Sequence, residues 1–413
     1  MIKNLSKLAS LIAIVILMAS CSDNTTTTPI VVDPGTSTSD LLSLKTTTAP
    51  TIDGTADASW ANCQKLTTEV VVPDPGGNTP ISGGNYFKGY LGNSYKVTMR
   101  SMYDDNNIYF LAEWNDLTND QNRNPWYFDA TTKKWAQEKR SYVYDATSGA
   151  ELRKPFYEDK FAMLWNVNNS TAGFNAAGCF QTCHMGLDQA THFNAPALHY
   201  TNSATEVIDM WHWKSVRTPG QIDDQYINND EFGNKAGSPE GGRHSDPATD
   251  GYANDNVQLL KVTGGTDSVK VPLYFIPGKT TYTVIMQPDI DASVAKKITA
   301  VDENGILTYA GGTIDPNTDT EFQRKGATTG TKCIPSVYVK APLTGDRGDL
   351  IAGWQHSTAT GWTLEWKRTL KTASTGKDVQ YDIANDYTFG VAVFNNAAIA
   401  HAIQSKFTLK FKK

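Results

Sequence analysis

Seven consecutive residues, Gly178-Cys179-Phe180-Gln181-Thr182-Cys183-His184, bring two thiols and an imidazole together. Two thiols can add to the vinyl groups of a haem while the histidine after them ligates its iron, so this order carries the chemistry of covalent haem attachment. The usual spacing leaves two residues between the cysteines. Here there are three, and a local bulge can still present both sulfurs to the porphyrin edge. Two rival chemistries use the same side chains. A zinc ion would take Cys179, Cys183 and His184 with His192 or His199 as fourth ligand, and a structural disulfide between Cys179 and Cys183 would leave His184 without a task.

An iron held in this way has a second axial position, and donors stand close by on both sides. Upstream, Glu158 to Val167 carries Met163 in an apolar run; downstream, Val207 to Arg217 carries Met210, His212 and Lys214 beside Trp211 and Trp213. A lone buried Met is ordinarily core, and a Lys beside Trp ordinarily snorkels. The clustering of these donors around one cysteine pair favours ligation. A thioether opposite imidazole raises the potential, whereas amine or imidazole lowers it. Trp165, Trp211 and Trp213 would wall the haem, a role compatible with ordinary core packing.

The segments YEDKFAMLWNV, GCFQTCH, DMWHWKSVR and the following Gln221-Ile222-Asp223-Asp224 resemble the ethylbenzene dehydrogenase-related haem-binding family. That family includes the haem-carrying gamma subunits of ethylbenzene and dimethylsulfide dehydrogenases and c-type cytochromes similar to them. The resemblance runs from about Thr51 to Phe411. It implies a Met ligand in the segment similar to FAMLWN, at Met163, and a Lys ligand in the segment similar to HWK, at Lys214. The cysteine pair and His184 are an addition that the b-type gamma subunits lack, and one iron cannot take three strong axial donors, so the resemblance orders the ligand opposite His184 as Met163, then Lys214, then His212. The opening IDGTADASW and the stretch YDDNNIYFLAEWND also resemble family-nine carbohydrate-binding modules, which are β-sandwiches.

The elements that must position these residues read as strands. Ser101 to Trp114 holds two β-prone runs around Asp104-Asp105-Asn106-Asn107, residues that tolerate the backbone of a tight turn, so a hairpin is expected. In its second strand Ile108, Phe110 and Ala112 alternate with Tyr109, Leu111 and Glu113. Further strands are expected at Val269 to Phe275, Thr281 to Met286, Ser336 to Val339, Trp362 to Arg368, Thr388 to Phe394 and Phe407 to Phe411. The fold class that follows is mainly β, an immunoglobulin-like or jelly-roll β-sandwich over 46–413. A loop-rich haem-binding insertion is expected at about 126–254. Asp104, Asp105, Asp116 and Asp120 are candidates for a calcium site, though such residues more often sit in solvated turns. Glu158 and Asp159 form a carboxylate pair with no nucleophile or substrate beside them.

Lys3 and Lys7, an apolar run from Leu11 to Met18 and small residues before Cys21 read as a lipoprotein signal over 1–20, with Cys21 lipidated. Residues 21–45 read as a flexible tether to a lipid anchor. That places the chain in the cell envelope, at a periplasmic or outer-membrane surface. There, two of the remaining cysteines, Cys63 and Cys333, could form a disulfide or stay as buried thiols. A net charge of -6 without basic clusters excludes nucleic acid as a partner, and no Gly-rich phosphate loop or hydrolase serine motif is present. The expectation is a monohaem c-type cytochrome, not itself an enzyme, passing electrons to a redox protein such as a molybdenum oxidoreductase or respiratory-chain component. A surface carbohydrate-binding lipoprotein is the alternative, marked by exposed aromatics on one sheet face. A haem enzyme with an open iron position is a third reading.

Overall fold

Ten strands pair edge to edge into a closed ring. In chain order they are β1 (Asp40–Lys45), β2 (Ser94–Tyr103), β3 (Asn107–Trp114), β4 (Lys160–Asn166), β5 (Ile208–Lys214), β6 (Thr218–Ile227), β7 (Leu350–Ser357), β8 (Gly361–Thr369), β9 (Tyr387–Phe394) and β10 (Ala402–Lys412). Around the ring the order is β10, β1, β2, β3, β8, β7, β6, β5, β4, β9 and back to β10. The computed structural model describes residues 35–74, 87–182, 199–203, 205–228, 242–248, 253–279, 282–319, 334–340 and 342–413. The protein is mainly β, with 46% of it in strands. Among the described residues no helix is long and apolar enough to cross a membrane.

The expected hairpin forms as β2 and β3. Asp104 makes its turn, accepting hydrogen bonds from the backbone of Asn106 and Asn107 and from the Tyr109 hydroxyl. At the β7–β8 turn Gly361 has φ +96°, and a Cβ there would lie 2.0 Å from the Trp114 carbonyl oxygen, so the turn admits only glycine.

The ring is filled by aromatic side chains that meet both along neighbouring strands and across the interior. Phe110 of β3 stacks on Trp366 of β8 and meets Trp211 of β5 edge-on, at centroid distances of 5.2 and 5.6 Å. Trp114 stacks on Phe161 and Trp362, and Trp165 stacks on Phe389. Offset and edge-to-face contacts of this kind add to the burial of large rings.

Two expectations about organisation are corrected. The tether was read as reaching residue 45, but Asp40–Lys45 is β1, running parallel between β10 and β2 with Leu41 fully buried. This strand pairs along the C-terminal halves of β10 and β2, whose other halves are partly covered by Lys65–Val71, and closing the ring removes edges that would invite aggregation. Leu41→Ala is therefore expected to destabilise the fold by about 2–5 kcal/mol, read as a lower urea midpoint. A loss under roughly 0.5 kcal/mol would return this segment to the tether.

The stretch 126–254 was read as an irregular insertion, yet it supplies β4, β5 and β6, three adjacent strands of the ring. The true excursion lies between β6 and β7. There Ala253–Asp255, Ile285–Met286 and Val337–Val339 form one small sheet, and Tyr274–Phe275, Lys296–Val301, Leu307–Tyr309 and Gly312–Ile314 form another. Ile298 and Leu307 of this part share a hydrophobic cluster with Trp126, Phe128 and Trp135 of the β3–β4 connection.

Candidate functional site

The candidate ligands sit on β4 and β5, and the register between them decides what they can do together. Met163 lies opposite Trp211, Ala162 opposite His212 and Lys160 opposite Lys214. On the far side of β4, Met163 faces Val391, Ala162 faces Ala392 and Leu164 faces Gly390 of β9. Successive side chains of a strand point to opposite faces. Phe161, Met163, Trp165, Trp211 and Trp213 therefore point into the ring, while Lys160, Ala162, Leu164, Met210, His212 and Lys214 point away from it.

On the outer face His212 is only 4% exposed, and its ring lies against Phe394 at 5.6 Å. Among the described residues neither Nδ1 nor Nε2 has a hydrogen-bond partner. Buried imidazole nitrogens are almost always hydrogen-bonded, and leaving one unmade costs about 1–3 kcal/mol. Burial pushes the imidazole well below its ordinary pKa, and the positive charges of Lys214, Lys160, Arg243 and Arg217 push it the same way. His212 is thus a neutral ring with a free lone pair, surrounded by cations.

Lys214 is differently placed. Its ammonium pairs with the Asp223 carboxylate, which also accepts from Arg347, whose Nη2 is 3.0 Å from Oδ2. Burial alone would raise Asp223, but Lys214 and Arg347 hold its carboxyl below the usual value. Lys160, also buried, donates to the Ala398 carbonyl at 3.0 Å and lies 4.0 Å above the Phe394 ring.

Cys179 packs on this same outer face. A Cβ added to Gly390 would lie 2.9 Å from the Cys179 sulfur, and Gly390 shares its face with Leu164. Gly390 lies in the row of Leu164 and Met210, two residues along the strands from the row of Ala392, Ala162 and His212, so Cys179 and His212 share one surface at about 12 Å. The Thr182 carbonyl accepts from the Tyr200 amide at 3.2 Å. Cys183, His184 and His192 lie outside the described residues, as do Cys21 and Cys333.

The sequence model of the family described as ethylbenzene dehydrogenase matches residues 57–406. The chain belongs to this family. No curated protein sequence matches it. Among solved structures, a family-nine carbohydrate-binding module from Caldicellulosiruptor kristjanssonii in complex with glucose is similar at 10% identity and a TM-score of 0.27, covering 90% of this chain and 95% of that one. The same kind of module in complex with cellotriose is similar at 8% identity and a TM-score of 0.26, covering 90% and 93%.

For this member of the family, several sequence expectations are corrected by the geometry. Met163 and Lys214 point to opposite faces of one sheet, so a single iron cannot take both. Met163 is 1% exposed within the aromatic interior, away from Cys179. Trp165, Trp211 and Trp213 fill that interior and do not wall the face that carries His212. The four aspartates read as a calcium site do not gather. Asp104 and Asp105 stand at the turn before β3, and Asp116 and Asp120 lie beyond its far end; Asp104 caps its own turn and Asp105 pairs with Lys45. Glu158 and Asp159 are structural. Arg217 pairs with Glu158, and Asp159 accepts from the backbone of Asp120 and Asn396. Cys63 is a buried free thiol, pushed up to about 11 by burial.

Reading the sequence missed Gly390, Phe394 and Arg347. Gly390 leaves room for Cys179, Phe394 supports the His212 ring, and Arg347 holds Asp223. Each comes from a distant segment, and no local pattern around it announces the role.

Proposed function

We propose that this chain is an exported, lipid-anchored monohaem c-type cytochrome of the ethylbenzene dehydrogenase family, with haem attached at Cys179 and Cys183 and ligated by His184 and His212. The observation that carries the reading is the buried His212 imidazole, both nitrogens unpartnered, on the face against which Cys179 packs. A metal ion satisfies such a ring at one nitrogen. The residues fit the group. The imidazole is neutral and so a competent donor, Ala162 and Ala392 offer a low floor, and Arg217 and Arg243 supply positive charge near His212 for the carboxylates a haem carries. Haem bound there supplies one-electron redox chemistry. The chain's own work is to hold the group, exclude water from it with Phe394 and neighbouring side chains, and present it to a partner. The family points to an oxidoreductase as that partner. Lipidated Cys21 would tether the domain to the envelope membrane.

The carbohydrate-binding alternative needs exposed aromatic residues. Nine of the ten tryptophans are buried, and Trp354 is half-buried.

The test is a pyridine haemochrome spectrum of protein made with a c-type maturation system, after denaturation and acid-acetone extraction. Haem that stays with the polypeptide and shows a c-type α-band is expected, and Cys179→Ala with Cys183→Ala should release it. Protohaem in the extract would make the chain a b-type relative. Absence of haem from both fractions would overturn the cytochrome reading.

A further inference from the structure

On the interior side of the sheet, at one end of the ring, five chain segments converge with a different chemistry. Asp209 of β5, Asp224 of β6 and Asp378 of the β8–β9 connection each offer a carboxylate oxygen, and these oxygens lie within 4.8 Å of one another. Asp246 and Asp346 form a second such group with the same Asp378. Asp209, Asp224 and Asp378 are all 0% exposed.

These acids are not used up by the protein. Among the described residues neither oxygen of Asp378 has a hydrogen-bond partner, nor does Asp209 Oδ1 or Asp224 Oδ2. Arg368, the one buried cation beside them among the described residues, is turned to the other oxygen of Asp209, which also accepts from the Val379 amide at 2.9 Å. Lys377 stands 3.9 Å from Asp246. Three buried carboxylates facing one point, with a single guanidinium directed elsewhere, leave uncompensated negative charge. Either protons or a cation must fill that deficit.

We propose that Asp209, Asp224 and Asp378 hold one buried divalent cation of the calcium class, entering past Asp246 and the half-exposed Asp346. The donor set is all oxygen, with neither sulfur nor imidazole in either group, which suits a hard cation and not zinc. Calcium takes oxygen ligands at about 2.3–2.6 Å, so two of its donors lie at most about 5 Å apart, and the carboxylate oxygens here lie within 4.8 Å of one another. Magnesium keeps several waters and would be poorly served by a dry cage of three carboxylates. This site is independent of haem: it uses the opposite face of β5 and none of the haem-ligand candidates. It also differs from the acidic residues that the sequence offered for calcium. An ion there would tie β5, β6 and the β8–β9 connection together beneath the strand that bears His212.

The test uses the full chain as purified, with metal content measured after dialysis against metal-free buffer and unfolding followed at pH 7.5. About one calcium per chain is expected, with a melting temperature that falls by roughly 5 °C in EDTA and recovers with calcium but not with equal magnesium. Terbium(III) should bind in its place and emit on excitation of Tyr381 and Trp211, whose rings flank Arg368 at 5.4 and 5.0 Å. Asp378→Asn should abolish retention and the calcium response. Should that variant fail to fold, the wild-type titration still decides. A wild-type chain that retains no divalent metal and melts identically in EDTA and in calcium overturns the proposal. So does an Asp378→Asn chain that melts higher than wild type in both, since the acids would then be a protonated cluster in simple repulsion.

Discussion

His212→Phe is expected to turn a six-coordinate, low-spin haem into a five-coordinate one that binds carbon monoxide when reduced, with covalent haem content unchanged. The same substitution should leave the haem-free chain as stable as before or stabilise it by about 1–2 kcal/mol. The ring nitrogens it removes are buried and unpartnered, and an unmet buried polar group costs about that much. The added ring stays against Phe394. A histidine kept only for packing would give the stability result without the spectral one, so the pair of measurements separates the two roles. Two imidazole ligands would also give a lower potential than the thioether first expected at Met163. An unchanged spectrum in His212→Phe would remove His212 from the iron and return Lys214 to consideration.

Asp223→Ala is expected to cost about 3–5 kcal/mol, the largest loss of stability from any single change on the outer face. Lys214 and Arg347 both pair with this carboxylate, and Lys214 is only 2% exposed, so its ammonium would be left buried with its main counter-charge gone. Lys214→Met should cost less, because Asp223 keeps Arg347 and the methionine refills the space. Urea unfolding of the two variants checks the order. Equal losses below about 1 kcal/mol would mean that this buried group does not hold β5 to β6 and the turn before β7. The same pairing explains why Lys214 is a weaker candidate ligand than His212: its nitrogen is already paired with the Asp223 carboxylate.

Much of this protein is legible locally. The hairpin at Asp104 to Asn107 announces itself, because a turn rich in Asp and Asn between two β-prone runs has few other outcomes. The order of Cys179, Cys183 and His184 states a chemistry through adjacency alone. The family, too, is carried by short segments that survive as text. The weighing of ligands was not legible. β4 and β5 are buried on both faces, so KFAMLWN and IDMWHWK show no clean alternation to say which residues look inward. Met163 and His212 are equally apolar in context, and only pairing to β9 and β6 separates them.

The excursion was misplaced for a related reason. Residues 126–254 look irregular because their strands are separated by long connections, whereas 253–340 looks regular because its short strands alternate well. What determines membership of the ring is long-range pairing, which no window of sequence contains. The acidic cluster is the extreme case: Asp209, Asp224, Asp246, Asp346 and Asp378 come from five segments, each unremarkable alone. By itself the sequence determined which donors and turns exist, since those follow from side-chain chemistry and short-range backbone preference. Only the tertiary structure decided which donors share a face, because the pleat reverses direction at every residue and the closing of the ring brings together positions far apart in the chain.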